Sequence, residues 1–410
     1  MGEYLLMSMT VTEQAKAWYE RMRALREDLH RHPELGHKET RTTELIRKTL
    51  NKLGIETPDY GVETGIVGIL RGGVGGKTLL LREDIDALPI EEKTGLSFAS
   101  EVEGISHACG HDIHTAALLG TAGMLTERRN EFSGTVIFLF QCAEEVFDGA
   151  AAMLQHDIFR DEKPEAVVGL HTAPALPVGS IGILEGVADA SCDTVTIRVI
   201  GRGGHGAHPD DCIDPVVIAA AIIMELQTVA SRRNKPTDPM VLTFGQIQGG
   251  TAPNVIPNFV TLEGNMRCMN GTLRSKRMED IRALAEGIAS AHGARAEVSF
   301  SAGMPPVIND PGLCRMIVAA GAKVLGESRV VTDLVPSMGS DDFSNIEEAC
   351  GGIGAQFLLG TRDLQIPNSG LGLHVAENIF PSAALIPAAA VLTQFALDFL
   401  RGEGDEFVRL

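Results

Sequence analysis

No run of lysine or arginine breaks the acidic character of this chain. The net charge is −19, which repels nucleic acid and anionic membrane surfaces, and no basic stretch offsets it. No apolar run has the length expected of a membrane-spanning helix. The opening residues, MGEYLLMSMT, lack a positive segment, include Glu3 and offer too short an apolar run for a secretion signal. Cysteine is sparse: seven residues, an odd number, scattered along the chain. That argues against a disulfide framework and for a reducing cytoplasm. Internal repeats and low-complexity segments are missing too.

What is present is an ordinary globular composition, 44% apolar and 22% charged. With 410 residues, the chain exceeds what one hydrophobic core usually serves, so two domains are expected. The 45 glycines imply many tight turns. Apolar residues at helical spacing (Ala15, Trp18, Met22, Leu25, Leu29) predict a helix over 12–30, stopped at Pro33. A second runs over 41–53 and ends at Gly54. Short runs at 66–70, 79–81, 136–140 and 166–169 are apolar throughout, as in strands covered on both faces. Helical segments at 113–128 and 150–156 lie among them. This is an α/β layout with a mostly parallel sheet.

Between about 190 and 303 the pattern changes to β-α-β-β-α-β, at 194–200, 215–231, 240–246, 259–266, 273–292 and 295–300. That is the order of a ferredoxin-like unit. The α/β character then returns, with a helix over 311–325, a strand over 356–360 and a long apolar helix over 382–400. The expectation is a discontinuous catalytic α/β domain, 1–190 and 303–410, into which residues 191–302 are inserted.

Two glycine-rich segments imitate nucleotide sites. Gly201–Gly206 fits G-x-G-x-x-G, but no helix starts at its last glycine; its glycines let a turn carry His205 outward. Residues 71–78 resemble a phosphate loop, yet Arg71 stands where the first glycine belongs and a strand follows. A hairpin turn is the expectation there.

Ligand-type residues sit just past the apolar runs. Leu79–Leu81 leads to Arg82-Glu83-Asp84-Ile85-Asp86, Val136–Phe140 to Glu144 and Glu145, and 166–170 to His171. Sites in open α/β sheets form at the carboxyl ends of strands. A fourth cluster, His107-Ala108-Cys109-Gly110-His111-Asp112-Ile113-His114, lies between strand and helix. An extended loop there would point Cys109 and His111 the same way. His111 alone could be a satisfied core histidine. Together with Cys109, Glu145, His171 and His374 it makes a thiolate–imidazole–carboxylate set suited to Zn²⁺ and tolerable to Mn²⁺, Co²⁺ or Ni²⁺. Adjacent glutamates after a strand point different ways, so one can bind metal while the other moves a proton.

With these residues in place, the chain resembles the aminoacylase/carboxypeptidase superfamily of dinuclear metallopeptidases. Within it, the likeness is to the branch of hippurate hydrolases, N-acyl amino acid amidohydrolases and auxin-conjugate hydrolases. The matching segments are HRHPELG from His30, LREDIDALPIEE from Leu81, HACGHDIHTA from His107, FQCAEE from Phe140 and GLHTAPALPVG from Gly169. GRGGHGAHPDDCIDP from Gly201, GTAPNVIPN from Gly250, MGSDDFS from Met338 and His374 complete the series, which spans nearly the whole chain in order. The resemblance implies that Cys109 bridges two divalent metals, with His111 and His171 completing one site and Glu145 and His374 the other. Glu144 would be the general base, and Asp84 and Asp86 would hold ligands and loop in place. Arg82 stands where many superfamily members have a metal-binding His. The inserted domain would be a lid that also forms a homodimer or a dimer-based oligomer. His205, Asn254 and Arg267 would grip the substrate carboxylate or the developing oxyanion, with His208 as a further candidate.

Departures from the family pattern are Cys142 for Pro, Ile113 for Gly, Asp341 for Glu, and the run GLHVAENIFPS around His374. All five ligands and Glu144 are present; the altered surroundings of His374 and of residues 340–343 leave acyl group and amino acid open. The function expected is metal-assisted hydrolysis of a small N-acyl amino acid amide. A rival is an aminohydrolase releasing ammonia from an aromatic amine, which uses the same water activation. A non-catalytic metal-binding protein would need a missing base or ligand, and none is missing. A zinc nucleobase deaminase is disfavoured, since H-x-E with a downstream C-x-x-C is absent.

Overall fold

The computed structural model describes residues 9–301, 303–404 and 406. The chain divides into two units, one of Met1–Gly186, Ile308–Val335 and Asp342–Leu410, the other of Val187–Val307 and Pro336–Asp341.

The first unit is built on a seven-stranded sheet in the order Ile66–Arg71, Ser133–Gln141, Gly73–Asp84, Ala166–Pro177, Gly354–Arg362, Ile181–Gly182, Val330–Val331. The four long neighbours from Ser133–Gln141 to Gly354–Arg362 run parallel. Ile66–Arg71 joins the first of them antiparallel. The central stretches of these strands, such as Leu79–Leu81 and Val136–Phe140, are apolar and buried because helices cover them. The helices Val11–Arg31, His111–Glu127 and Leu385–Leu400 pack together with the sheet residues in one core. Their close approach depends on Gly120: a Cβ there would stand 2.2 Å from Met22 Sδ. The helix His111–Glu127 is buried from His111 through Leu125, which fixes the position of its first turn.

The expected hairpin at 71–78 does not form. Ile66–Arg71 and Gly73–Asp84 are not neighbours; Ser133–Gln141 lies between them and pairs with both. The glycines instead let the chain pass along Phe132–Gly134, where Gly72 and Gly73 donate to Gly134 O and Phe132 O.

Two helical stretches do have the length and composition to cross a membrane, Pro215–Arg233 and Ser382–Leu400, which the sequence reading missed. Isolated polar residues such as Glu225 and Asp398 interrupt both runs. The second is 83% buried, as a core helix that is apolar all round must be.

The second unit carries a four-stranded antiparallel sheet in the order Arg295–Phe300, Ser191–Ile200, Phe259–Cys268, Met240–Gly249. The helices Pro215–Thr228 and Gly271–Ala291 complete a β-α-β-β-α-β order. Their inward residues Ile218, Ile222, Leu226, Ile281, Ala285 and Ala289 share a core with Val195, Ile197 and Val199. Residues 336–341 pack with this unit: Ser337 N–H donates to Ala188 O, and Ala190 N–H to Gly339 O.

Candidate active site

The parallel strands stop in step, and their ends supply most of the site. Gly73–Asp84 pairs with Ser133–Gln141 up to Asp84 and Gln141. Its pairing with Ala166–Pro177 ends at Arg82 and Gly169. The latter strand runs on alongside Gly354–Arg362, so His171 is a strand residue just beyond the last rung with its other neighbour.

Cys109 and His111 do not lie in an extended loop. Gly110 adopts a left-handed conformation (φ 86°), and His111 is the first residue of the helix His111–Glu127. The helix start, not an extended chain, sets how the two side chains are presented. A thiol just before a helix N-terminus is also favoured as thiolate. The His374 backbone N–H donates to Ala108 O at 2.9 Å, tying the last ligand's loop to the Cys109 loop.

Glu144 and Glu145 ride on a short 3-10 turn, Glu144–Val146, flanked by two left-handed non-glycine residues, Ala143 (φ 55°) and Phe147 (φ 63°). Each such residue costs roughly 1–2 kcal/mol, so the surroundings must impose the turn. Two carboxylates hold the turn, and a third holds the helix that follows it. Glu39 Oε1 accepts Ala143 N–H at 2.7 Å, Asp86 Oδ2 accepts Glu145 N–H at 3.0 Å, and Asp342 Oδ2 accepts Ala150 N–H at 2.9 Å. Gly149 allows the tight return: a Cβ there would stand 1.7 Å from Cys142 O.

Cys109, His111 and His171 form one group with ligand atoms within 4.8 Å of one another, and Cys109, Glu145 and His374 form another. Cys109 belongs to both. Its Sγ lies 3.5 Å from His171 Nε2. His374 Nε2 is 3.4 Å from Glu145 Oε2, and His111 Nε2 is 3.7 Å from Glu145 Oε1. Glu144 groups with His111 and Glu145 and is itself buried. His111 Nδ1 is occupied by Asp86 O at 3.0 Å, and His171 Nδ1 by Thr172 O at 2.9 Å. Both rings thereby turn Nε2 inward, the orientation that backbone partners impose on metal-binding histidines.

A cation fits this arrangement. His111 Nε2 and Glu145 Oε1 are buried without a hydrogen-bond partner, and buried polar atoms are rarely left so. The electrostatics favour positive charge. Hydrogen bonds to Cys109 and Glu145 lift His374 to about 10. Burial opposes charge on His111, yet Asp84 and Cys109 hold its pKa well above the ordinary imidazole value. Burial pushes the Cys109 thiol up, but His171 and His111 outweigh it and bring it down to about 7. A thiolate is the form that binds metal.

Asp84 carries a buried relay that the sequence did not disclose. Its Oδ1 lies 2.6 Å from His114 Nδ1, and His114 Nε2 accepts Thr172 N–H at 3.0 Å. Since Nε2 accepts, Nδ1 carries the proton. Burial keeps His114 neutral by lowering its pKa to about 4, so it braces the strand next to His171. Arg82, fully buried, donates to Gln141, Asp84 and Asp342. It is a structural cation, not a ligand. His114, Asp342 and Glu39 were missed; the first two lie in quoted motifs, but only the fold shows their partners.

The remaining candidates lie in the second unit. His205 and His208 are exposed, with ring centroids 5.4 Å apart. Asn254 is exposed, and its carbonyl accepts Gly206 N–H. Arg267 donates to Met338 O and Ser340 Oγ.

The profile of peptidase family M20/M25/M40 matches residues 80–398. The N-acetylcysteine deacetylase of Bacillus subtilis (strain 168) is 41% identical over 82% of this chain and 88% of its own length. The N-acyl-L-amino acid amidohydrolase of Geobacillus stearothermophilus is 40% identical over 70% of this chain and 77% of its own. The crystal structure of the Bacillus subtilis YXEP protein, described as a dinuclear metal binding peptidase from the M20 family, superposes with a TM-score of 0.81 at 35% identity. The match covers 94% of this chain and 99% of that one. The chain belongs to peptidase family M20/M25/M40 and is a metal-dependent amidohydrolase.

Proposed function

We propose that the enzyme hydrolyses the amide bond of N-acyl amino acids. The observation that carries this reading is the pair of three-residue ligand groups sharing Cys109, with buried Glu144 beside them. Two divalent ions, Zn²⁺ or Mn²⁺ with Co²⁺ or Ni²⁺ as alternatives, would be held with Cys109 between them, by His111 and His171 on one side and Glu145 and His374 on the other. When bound, they supply Lewis-acid activation of water and carbonyl. Glu144 takes the proton of the attacking water and passes it to the leaving amine. Asp84 and Asp86 keep the ligands and the catalytic turn in register.

The inserted domain, residues 191–302 against a catalytic domain of 1–190 and 303–410, is assigned the part of lid and dimerisation domain. His205, Asn254, Arg267 and His208 would bind the substrate carboxylate or the oxyanion. A homodimer is supported by the outer face of helix Pro215–Thr228. There Val217 and Met224 are 61% and 73% exposed, beside a groove of about 320 Å³ lined by Ala220, Ile223 and Ile247. Strand Met240–Gly249 is an edge of its sheet, open to a symmetric mate. Seven free thiols fit a cytoplasmic location.

The test is a substrate screen of chelator-treated enzyme reloaded with Zn²⁺ or Mn²⁺. N-acetyl and N-benzoyl amino acids, from N-acetylcysteine to hippurate, are expected to release the free amino acid, and only after metal is restored. Ammonia release from aromatic amines, with no cleavage of any N-acyl amino acid, would reverse the assignment.

A further inference from the structure

Glu39 stands out among the buried acids around the catalytic turn. Asp86 grips the turn and Asp342 the helix after it, and both also serve elsewhere, since Asp86 O holds His111 and Asp342 binds Arg82 and Gln141. Glu39 is fully buried, and its Oε1 accepts Ala143 N–H at 2.7 Å. It occupies the N-cap position of helix Thr40–Lys52, yet its side chain makes no capping hydrogen bond. Capping therefore does not explain why an acid sits there. Burial and, less strongly, the neighbouring Asp86 charge push its pKa up from the ordinary carboxylate range, against hydrogen bonds from its own backbone, Ala143 and Thr64, so the position on balance disfavours the charged group it holds. Ala143 is left-handed and has no polar side chain with which to stabilise that conformation. Its N–H is the handle by which the conformation can be held from outside.

We propose that Glu39 is a positioning residue for Glu144. By holding the Ala143 N–H, it fixes the left-handed residue immediately before Glu144 and so the direction of the Glu144 carboxylate. This inference rests on Glu144 being the general base.

The test uses the full-length, metal-loaded enzyme and four variants: Glu39→Leu, Glu39→Gln, Glu144→Gln and the double variant Glu39→Leu/Glu144→Gln. Glu39→Leu is expected to lower kcat roughly 10–100-fold, with KM within about twofold and metal content unchanged. Glu39→Gln retains an acceptor oxygen and is expected to stay within about threefold of the parent in kcat. The double variant should be no slower than Glu144→Gln alone, because both changes act through one group. Parent-like kcat in Glu39→Leu, equal losses in Glu39→Leu and Glu39→Gln, or additive losses in the double variant would overturn the proposal. Should Glu39→Leu fail to fold, Glu39→Met, unbranched and closer in shape, gives the same reading. Parent-like turnover in Glu144→Gln would refute the base assignment and this inference with it. A loss there with none in Glu39→Leu refutes this inference alone.

Discussion

The two units place the polar residues assigned to function in opposite ways. In the first, Arg82, Asp84, His111, His114 and Asp342 are completely buried, as are Arg26 and Asp112 nearby, and hydrogen bonds join them to one another and to the backbone. In the second, the core is mainly apolar, with Asp193 buried against Arg274 and Arg277 against Asp280, and the residues assigned to substrate recognition, His205, His208 and Asn254, are exposed. Chemistry needs fixed, desolvated groups, which a rigid sheet edge provides at a cost in stability. Recognition needs only exposed groups on a stable support. If this contrast holds, substitutions in the buried network act on metal and turnover, and substitutions on the second unit act on association and binding.

The largest effects are expected at the catalytic turn. Glu144→Gln should keep both metals and lose about 10²–10⁴-fold in kcat, whereas Glu145→Gln and Cys109→Ala should each lose at least one metal. Elemental analysis alongside steady-state kinetics separates these outcomes. Swapped phenotypes for the two glutamates would exchange base and ligand, and full metal content in Cys109→Ala would remove the shared ligand.

A smaller effect is expected on the second unit. Met224→Glu places a charge on the outer face of helix Pro215–Thr228, whose buried face is formed by Ile218, Ile222 and Leu226. Sedimentation should show a dimer weakened about 10–100-fold, the loss of a few kcal/mol at an interface centre, with Tm little changed. An unaltered association constant would show that this face does not join two copies.

The smallest effect sharpens the contrast within the first unit. Glu347 is buried with an N–H donor, from Ile308, and has no cationic partner among the described residues, and burial pushes its pKa up to about 8. Between the ordinary glutamate value and about 8, the folded chain keeps a proton that the unfolded chain has released. Stability therefore falls as pH rises through that window, and the penalty is absent below it. Glu347→Gln should raise Tm at pH 8.5, by about 2–4 °C for each kcal/mol regained, and leave it unchanged at pH 5. Equal melting of the two proteins at both values would place the Glu347 carboxyl in a better solvated setting.

Much of this architecture could be read along the chain because it is written in periodicity. The helix at Pro311–Leu325 and the strand at Arg295–Phe300 match their expected bounds, and the β-α-β-β-α-β order of the second unit follows from alternation and helical spacing. Four of the candidate ligands were legible because they lie next to an apolar strand or in a dense cluster of ligand types, whereas His374 was marked only by the family resemblance. Glu39 and His114 were not legible. A lone acid after a turn and a third histidine in a cluster carry no signal until the fold shows what they face. The strand order was hidden for a related reason: nothing in residues 66–84 says that Ser133–Gln141 will come between the two strands.

By itself the sequence determined the local propensities, the apolar strands and helices, and the chemical identity of the candidate metal-binding side chains, since these depend on residue type and spacing alone. Only the tertiary structure decided that Cys109 belongs to both candidate ligand groups, that Arg82 is a buried support, and that Glu39 and Asp86 hold one strained turn while Asp342 holds the helix after it. Those relations join residues far apart in the chain. They exist only where a closed, dry sheet edge brings carboxylates and backbone N–H groups within hydrogen-bonding distance.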